Sequence, residues 1–356
     1  MEPTQAHPGG KRTDNVSHHI MDLDYIITQG KAAPLHQHHV AKEALQQCLL
    51  AALSRQGFLT NVAFIGGTAL RILHRLPRFS EDLDFAWIGP KPTTAIVKEW
   101  SATIQKAVSK IGLTAHLSTK GPSPIDALVE KRGFTIYLAA TSTAPEFIRL
   151  ARNGIQISFE IDLNPPDHLV PERKTLLVAN EQVTLQSLTL PSLMAGKLHI
   201  LLTRKDREKG RDWYDYLWYR RNNITPHLPQ LQSAIDQTAA GPEAHYWMSF
   251  IRARTHQTNW LNVQSDAGSF LEKPEDAHNL NAVAIRQITP YPNFEQITAE
   301  LYQLKQQHSL LKTESPVLSD INQAATEGNE TAIETRSVIE AIRGIENDSP
   351  SKEPEI

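Results

Sequence analysis

Two short stretches decide the fold of this chain: FIGGTALR at residues 64–71 and RFSEDLDF at residues 78–85. The apolar run before the two glycines predicts a short buried strand, and the residues from Thr68 to Leu76 predict a helix. The segment from Leu83 to Trp87 predicts a second strand. Together these patterns predict a unit of strand, glycine turn, helix and strand.

Gly66 and Gly67 stand where the first predicted strand gives way to the helix. Because glycine has no Cβ, backbone N–H groups in such a turn can approach an anion closely, and the helix N-terminus adds its positive dipole end. A triphosphate could therefore dock at this turn. A Gly-Gly pair alone is usually an ordinary turn, so this interpretation depends on the residues that follow.

Asp82 and Asp84 follow after a short loop. Side chains alternate along a strand, so both carboxylates are expected to point the same way while Leu83 and Phe85 enter the core. Two carboxylates in one site repel each other unless a cation compensates them, and Mg²⁺ prefers oxygen ligands. An isolated Asp-x-Asp pair is usually a solvated strand edge, but beside a glycine turn it predicts a metal site next to a phosphate site.

A third carboxylate is expected from the strand-like segment at residues 155–163, because two-metal nucleotidyl transfer commonly uses one. Glu160 and Asp162 lie on one face of this segment. Glu160 is the preferred candidate because Asp162 is nearer the end of the strand, before Pro165. The alternative is that both acids belong to the solvated face of a sheet.

The order and spacing of these motifs resemble the polymerase-β-type nucleotidyltransferase superfamily and, within it, the AbiEii/AbiGii toxin family. The resemblance covers roughly residues 38–260. It includes a lysine-bearing run, LMAGKL at residues 193–198, and a charged run, RKDREKGRDWYD at residues 204–215.

The resemblance implies a bacterial toxin that uses Mg²⁺ and a nucleoside triphosphate (NTP) to transfer a nucleotide to RNA, with tRNA among the candidates, and that is paired with a cognate antitoxin. It also implies a site with residues from both halves of the chain. The resemblance assigns Asp82 and Asp84 as metal ligands, Gly66, Gly67, Thr68 and Arg71 as triphosphate contacts, and Lys197 and Asp212 as residues that complete the catalytic site. To these we add Glu160, the third carboxylate and metal ligand expected from the strand pattern, and Ser80 of the RFSEDLDF motif, a further expected triphosphate contact.

Lys197 is a compact cation that could stabilise charge on the transferring phosphates. Its alternative role is a surface lysine whose stem packs on apolar neighbours. Asp212 and Asp215 are spaced i, i+3 on one predicted helix and could instead pair with Arg211 and Lys209, which would make them structural.

The densest basic run of the chain lies between residues 204 and 221 and is interleaved with aromatic residues. Cations and aromatic rings are what a nucleic-acid surface uses. Aromatic residues on a helix are more often core, so we expect Trp213 or Tyr216 to be buried.

The whole pattern predicts an α/β (α+β) protein, in which a nucleotidyltransferase domain has a small mixed sheet flanked by helices and is followed by a mostly α-helical domain. The predicted boundaries are a flexible leader at 1–34, the nucleotidyltransferase domain at 35–190, the helical domain at 191–312, and an acidic disordered tail at 313–356. Within that tail, apolar residues from Ile333 to Ile345 could form one short helix on a partner.

Composition excludes a membrane span and gives only weak evidence on partners. Of the 356 residues, 40% are hydrophobic, and no apolar run approaches the ~20 residues that a spanning helix needs. The start of the chain does not resemble an export signal, and the single Cys48 lies in an apolar helical pattern, so a cytoplasmic location is expected. The net charge of −3 combines an acidic end with a mildly basic body, which permits contact with a polyanion without requiring it.

Two further interpretations stay open at this point. The protein could keep a nucleotide-binding shape and act only by binding nucleic acid or a partner, or it could transfer a nucleotide to a small hydroxyl compound. The intact Asp82 and Asp84 favour an enzyme, and the basic, aromatic second half favours RNA.

Overall fold

The computed structural model describes residues 37–90, 113–119, 134–140, 155–178, 181–204, 207–238, 243–303 and 315–347, with a few single positions between 99 and 109. The predicted leader at 1–34 lies outside the described residues. In the part of the chain that is described, no helix combines the length and apolarity that a bilayer crossing requires.

The described strands form one mixed sheet of seven strands in the order β3-β4-β5-β2-β1-β7-β6. The strands are β1 (Val62–Ile65), β2 (Leu83–Trp87), β3 (Leu113–Thr119), β4 (Phe134–Ala140), β5 (Ile155–Asp162), β6 (Pro171–Val178) and β7 (Glu181–Leu188). Strand β1 runs antiparallel to β2 and parallel to β7, and β2 runs parallel to β5. The strand that carries Asp84 therefore lies near the centre of the sheet, between β1 and β5.

Helices cover the sheet and make up most of the second half of the described chain. They are α1 (Gln37–Arg55), α2 (Gly66–His74), α3 (Leu190–Thr203), α4 (Gly210–Arg221), α5 (Leu228–Thr238), α6 (Trp247–Gln257), α7 (Trp260–Gly268), α8 (Ala282–Ile288), α9 (Phe294–Gln303), α10 (Pro316–Thr326) and α11 (Glu330–Asn347). The predicted fold class, a mixed sheet with flanking helices followed by a mostly helical region, is confirmed.

The candidate site lies between two hydrophobic cores. In the first, α1 packs its apolar face, including Leu45 and Leu49, against the sheet residues Phe64, Phe85 and Phe159. Cys48 is buried in this core, as expected. The second core joins the opposite face of the sheet unit, through residues such as Leu70, to α3, α4 and their neighbours. This second core contains residues from both sides of residue 190, so the sheet packs against helices α3 and α4 there. The predicted domain boundary at residue 190 stays a prediction.

The hairpin of β6 and β7 was not predicted from the sequence. Its first strand reads PERKTLLV, and its side chains are mostly exposed or half-buried because β6 is an edge strand of the described sheet. An edge strand with one solvated face lacks the apolar run by which buried strands are recognised. The hairpin places β7 against β1 and leads directly into α3, the helix that carries Lys197.

The prediction of a disordered tail is wrong for residues 316–347. These residues form α10 and α11, which pack with α9 around a third core that includes Phe294, Ile321 and Ile339. A buried ion pair between Arg252 and Asp320, with Nε and Oδ1 2.9 Å apart, joins α10 to α6. The acidic composition is misleading because most of the acidic side chains, unlike Asp320, lie on the exposed faces of amphipathic helices, whose apolar faces are buried in this chain.

Candidate active site

The glycine turn brings the start of α2 directly against Asp84. Helix α2 begins at Gly66, whose φ of +78° lies in the left-handed region that favours glycine. A Cβ at Gly66 would collide with Oδ2 of Asp84 and would lie 3.2 Å from its Cβ. Gly66 is therefore required twice, once by its backbone angle and once by the close approach of the carboxylate.

Gly67 is pressed against a different group. A Cβ at this position would collide with Nη2 of Arg78 and would lie 3.0 Å from Oγ of Ser80. The backbone of Gly67 thus rests on the guanidinium of Arg78, with Ser80 beside it. Because Ser80 is only half-buried, its hydroxyl stays next to the glycine turn, where a triphosphate contact was predicted.

Thr68 is fully buried, and its hydroxyl donates a hydrogen bond to the backbone carbonyl of Asp82. The predicted role of Thr68 was a triphosphate contact. In the structure its side chain instead ties the first turn of α2 to the residue that precedes β2. This bond sets the spacing between the helix N-terminus and the pair of aspartates.

Asp84 and Glu160 lie side by side on neighbouring parallel strands, because the register of β2 and β5 pairs these two residues. Asp162 pairs with Ala86 instead, and its Oδ1 accepts a hydrogen bond from the backbone N–H of Asn164 at 3.0 Å. The register therefore favours Glu160 over Asp162 as the third carboxylate, the choice made from the sequence.

Burial, and after it the negative charges of Asp82 and Glu160, together raise the pKa of Asp84 to about 7. Among the described residues, no lysine or arginine forms an ion pair within 4.0 Å of any of these three carboxylates. A group of acids that repel one another without a paired cation is electrostatically unfavourable. The group is thus poised to gain from a bound cation.

The donor set is made only of carboxylate oxygens, and this fits a hard divalent cation such as Mg²⁺. No three Asp, Glu, His or Cys side chains in the described part of the chain are gathered closely enough to form a complete metal site. A Mg²⁺ ion usually takes only one or two protein carboxylates and completes its shell with water and substrate phosphates. The residues present therefore fit a metal that binds together with a triphosphate.

Lys197 is buried between two acids of α4. Its Nζ lies 2.7 Å from Oδ1 of Asp212 and 2.9 Å from Oδ2 of Asp215. Burial lowers the pKa of Lys197, but the two aspartates outweigh this effect and raise it above its ordinary value. Lys197 is therefore a charged residue in a buried network, which excludes the alternative of a surface lysine.

Asp212 and Asp215 are each held by more than one cation. Arg204 approaches Asp212 to 3.3 Å, and Arg78 binds Asp215 through two bonds, Nε to Oδ1 at 2.6 Å and Nη2 to Oδ2 at 2.7 Å. Burial raises the pKa of Asp212, but Lys197 and Arg204 outweigh this and lower it. The suggested pairing with Arg211 and Lys209 is wrong, since the partners come from other elements.

The predicted role of Arg71 is not favoured by its contacts. Its guanidinium binds Glu43 at 2.7 Å and Glu272 at 2.5 Å, and donates to the carbonyl of Leu76 at 2.9 Å. It also lies over the ring of Phe79. These contacts engage the cation on the side of α2, so the structure does not bring Arg71 together with the other candidate residues.

The aromatic residues of α4 are core, as expected: Trp213 and Tyr216 are fully buried. Several cations of the basic run are also engaged, because Arg204 pairs with Asp212 and Arg220 donates to the carbonyls of Ile224 and Ile288. Among the described residues of this run, the exposed cations are Arg207, Lys209 and Arg221.

A mixed sheet in which a glycine turn opens a helix and the next strand presents carboxylates to that turn defines the nucleotidyltransferase class of fold and site. Residues 48–300 match the family described as Nucleotidyl transferase AbiEii toxin, Type IV TA system. The chain belongs to this family, so the protein is a nucleotidyltransferase of a toxin family from type IV toxin-antitoxin systems.

Solved structures give two further similarities. JHP933 from Helicobacter pylori shares 17% identity with this chain at a TM-score of 0.42, covering 75% of this chain and 98% of its own. A candidate nucleotidyltransferase from H. pylori shares 16% identity at a TM-score of 0.41, covering 75% and 97% respectively. No match was found among curated protein sequences.

Proposed function

We propose that this protein transfers a nucleotide from an NTP to an RNA acceptor and acts as a toxin that a cognate antitoxin neutralises. The observation that carries the proposal is the set of three carboxylates, Asp82, Asp84 and Glu160, which repel one another and form no ion pair among the described residues, beside the glycine turn at the start of α2. An anion-binding helix N-terminus and a cation-binding acid group next to each other suit a metal-bound triphosphate.

In this proposal, Asp82 and Asp84 hold Mg²⁺, and Glu160 helps to hold a second ion or to accept the proton of the attacking hydroxyl. Bound Mg²⁺ would supply charge stabilisation to the phosphates during transfer. The protein itself contributes by positioning the triphosphate. The turn at Gly66 and Gly67 offers backbone N–H groups to the triphosphate.

Lys197 and Asp212 complete the proposed site from the helical side. The charge of Lys197 acts on Asp84, which indicates that the lysine network lies near the carboxylates. Because Asp212 and Asp215 neutralise much of that charge, we propose that Lys197 acts on the phosphates through a field shared with Arg78 and Arg204, and that Asp212 keeps Lys197 in place.

RNA is the proposed acceptor because cations next to the carboxylates remain exposed. Lys209 is exposed, acts electrostatically on Asp84 and immediately precedes α4. Exposed Arg207 precedes it by two residues. A phosphate backbone would be attracted to such cations. The cytoplasmic location expected from the single cysteine would place the protein with both RNA and NTPs.

The test is to incubate the protein with each labelled NTP, Mg²⁺ and total RNA. We expect label on RNA with at least one NTP and none with the Asp82→Ala/Asp84→Ala variant. Label on a small molecule instead would identify a different acceptor. The absence of label with all four NTPs would count against the enzyme proposal, and labelling by the double variant would overturn the metal assignment.

A matched pair of variants tests the third carboxylate. Glu160→Gln should reduce transfer by about 100-fold, because it removes a charge that would contact the metal or the attacking hydroxyl. Asp162→Asn is the control, on the same strand two residues away, and should leave transfer within about twofold of the parent. Equal losses in the two variants would show that the register does not select the third acid.

A further inference from the structure

Arg78 is buried at the junction of the sheet and the helical half, although neither its residue type nor its position predicted a role. Its side chain is 3% exposed and that of Asp215 is not exposed at all. Besides the two bonds to Asp215, its Nη1 donates to the carbonyl of Phe79 at 2.9 Å. Arg78 therefore connects the loop before β2 to helix α4 through charged bonds that exclude water.

The same guanidinium touches the glycine turn. Nη2 of Arg78, which donates to Oδ2 of Asp215, is also the atom that a Cβ on Gly67 would collide with. The backbone of Gly67 consequently packs against the guanidinium of Arg78, and the bonds to Asp215 fix the position of that guanidinium. Movement of Asp215 would remove the support under the turn.

Asp215 also reaches Lys197, since its Oδ2 lies 2.9 Å from Nζ. A continuous set of contacts thus runs from Gly67 through Arg78 and Asp215 to Lys197. The two ends of this set are the predicted triphosphate contact on the sheet side and the predicted phosphate cation on the helical side.

We propose that Arg78 and Asp215 are a positioning pair that fixes the glycine turn and Lys197 relative to each other. The pair does not touch the reacting atoms. It keeps the glycine turn and Lys197, the two elements proposed to bind the triphosphate, at a fixed distance from each other. The phosphates can then bind without rearrangement of the protein. The expected effect of the pair on nucleotide transfer rests on the proposed function. Its expected effect on the glycine turn does not.

The experiment separates positioning from stability by removing both charges together. A single substitution would leave a buried charge unpaired, but replacing a buried ion pair by apolar residues of similar volume is often tolerated. The variant is therefore Arg78→Met/Asp215→Leu in the full chain. The control is Arg252→Met/Asp320→Leu, which removes another buried arginine–aspartate pair, between α6 and α10.

The deciding measurement is amide hydrogen exchange of the peptide that covers residues 66–70. We expect exchange to be about tenfold faster in Arg78→Met/Asp215→Leu than in the parent, with exchange in β1 and β5 unchanged. The control pair should leave the turn unaffected. Exchange within twofold of the parent at residues 66–70 would overturn the proposal, whatever the activity of the variant.

Transfer provides the second readout. The KM for the NTP should rise about tenfold or more while kcat falls less, because the pair acts on how the triphosphate is held. If the parent transfers no label, the proposed function fails and the exchange result still decides the positioning role.

Arg78→Lys serves if the double variant does not fold, because lysine keeps the charge but cannot bind both oxygens of Asp215. It should show an intermediate increase in exchange at residues 66–70, and parent-like exchange in this variant would overturn the proposal.

Discussion

The candidate site contains two groups of acids, one on the sheet side and one on helix α4, and they differ in how their charges are balanced. On the sheet, Asp82, Asp84 and Glu160 lie together without a paired cation in the described structure. On helix α4, Asp212 and Asp215 are bound by Lys197, Arg78 and Arg204. Asp82 and Asp84 look like Asp212 and Asp215 in the sequence, because both are pairs of aspartates at a short spacing.

The difference shows which acids are available to a ligand. A carboxylate that already has a cationic partner gains little stabilisation from a metal ion, whereas carboxylates that repel one another are strongly stabilised by one. We therefore expect substitutions on the sheet to reduce activity and substitutions on α4 to reduce stability.

The largest effect is expected from Asp84→Asn. Transfer should fall about 1,000-fold because a ligand charge is lost, a change of about 4 kcal/mol in transition-state stabilisation. The free energy of unfolding without metal should stay the same or increase, since a repulsion is removed. Kinetic assays and urea titrations on the same preparation measure both. A loss of stability comparable to that of an α4 variant would break the contrast.

Asp212→Asn should show the opposite pattern in stability. It leaves Lys197 and Arg204 with one fewer partner in a buried setting, so the free energy of unfolding should fall by about 3 kcal/mol. Urea denaturation checks this value. Arg336→Gln is the control, because Arg336 pairs with Glu340 on the surface of α11 and its loss should change stability very little.

The pH dependence of stability should report Asp84. Its pKa is raised from 3.8 to about 7 in the folded protein, so the folded state holds the proton more tightly than the unfolded chain. The stabilisation from protonated Asp84 is present at low pH and is lost as the pH rises towards about 7. Thermal melts in EDTA should show this loss, and Asp84→Asn should not. Added Mg²⁺ should restore stability above about pH 7, where the carboxylates are charged.

The smallest effect on nucleotide use is expected from Arg71→Gln. The guanidinium is engaged by Glu43 and Glu272, so the KM for the NTP should change by less than about twofold. The free energy of unfolding should fall by about 1 to 2 kcal/mol from the lost bonds to charged groups. A tenfold rise in KM without loss of stability would instead support the triphosphate role predicted from the sequence.

Much of the fold was predictable because its signals are local. The run at residues 64–71 predicts strand, turn and helix from glycine and apolar spacing alone, and β1 and α2 are found there; β2 is found at the strand predicted over Leu83 to Trp87. Strand β6 was missed because its edge position gives it exposed, charged side chains. Helix α10 was missed, and α11 was anticipated only as a short helix on a partner, because an acidic composition conceals their apolar faces, which the third core makes evident.

The sequence by itself determined the glycine turn, the aspartate pair and the family, because each depends on residue type at a fixed short spacing. Tertiary structure decided which acid lies beside Asp84, since strand register pairs it with Glu160. Tertiary structure also decided that Lys197, Asp212 and Asp215 form one buried network with Arg78. Charge compensation depends on distance in space, and residues 137 positions apart, such as Arg78 and Asp215, meet only when the chain is folded.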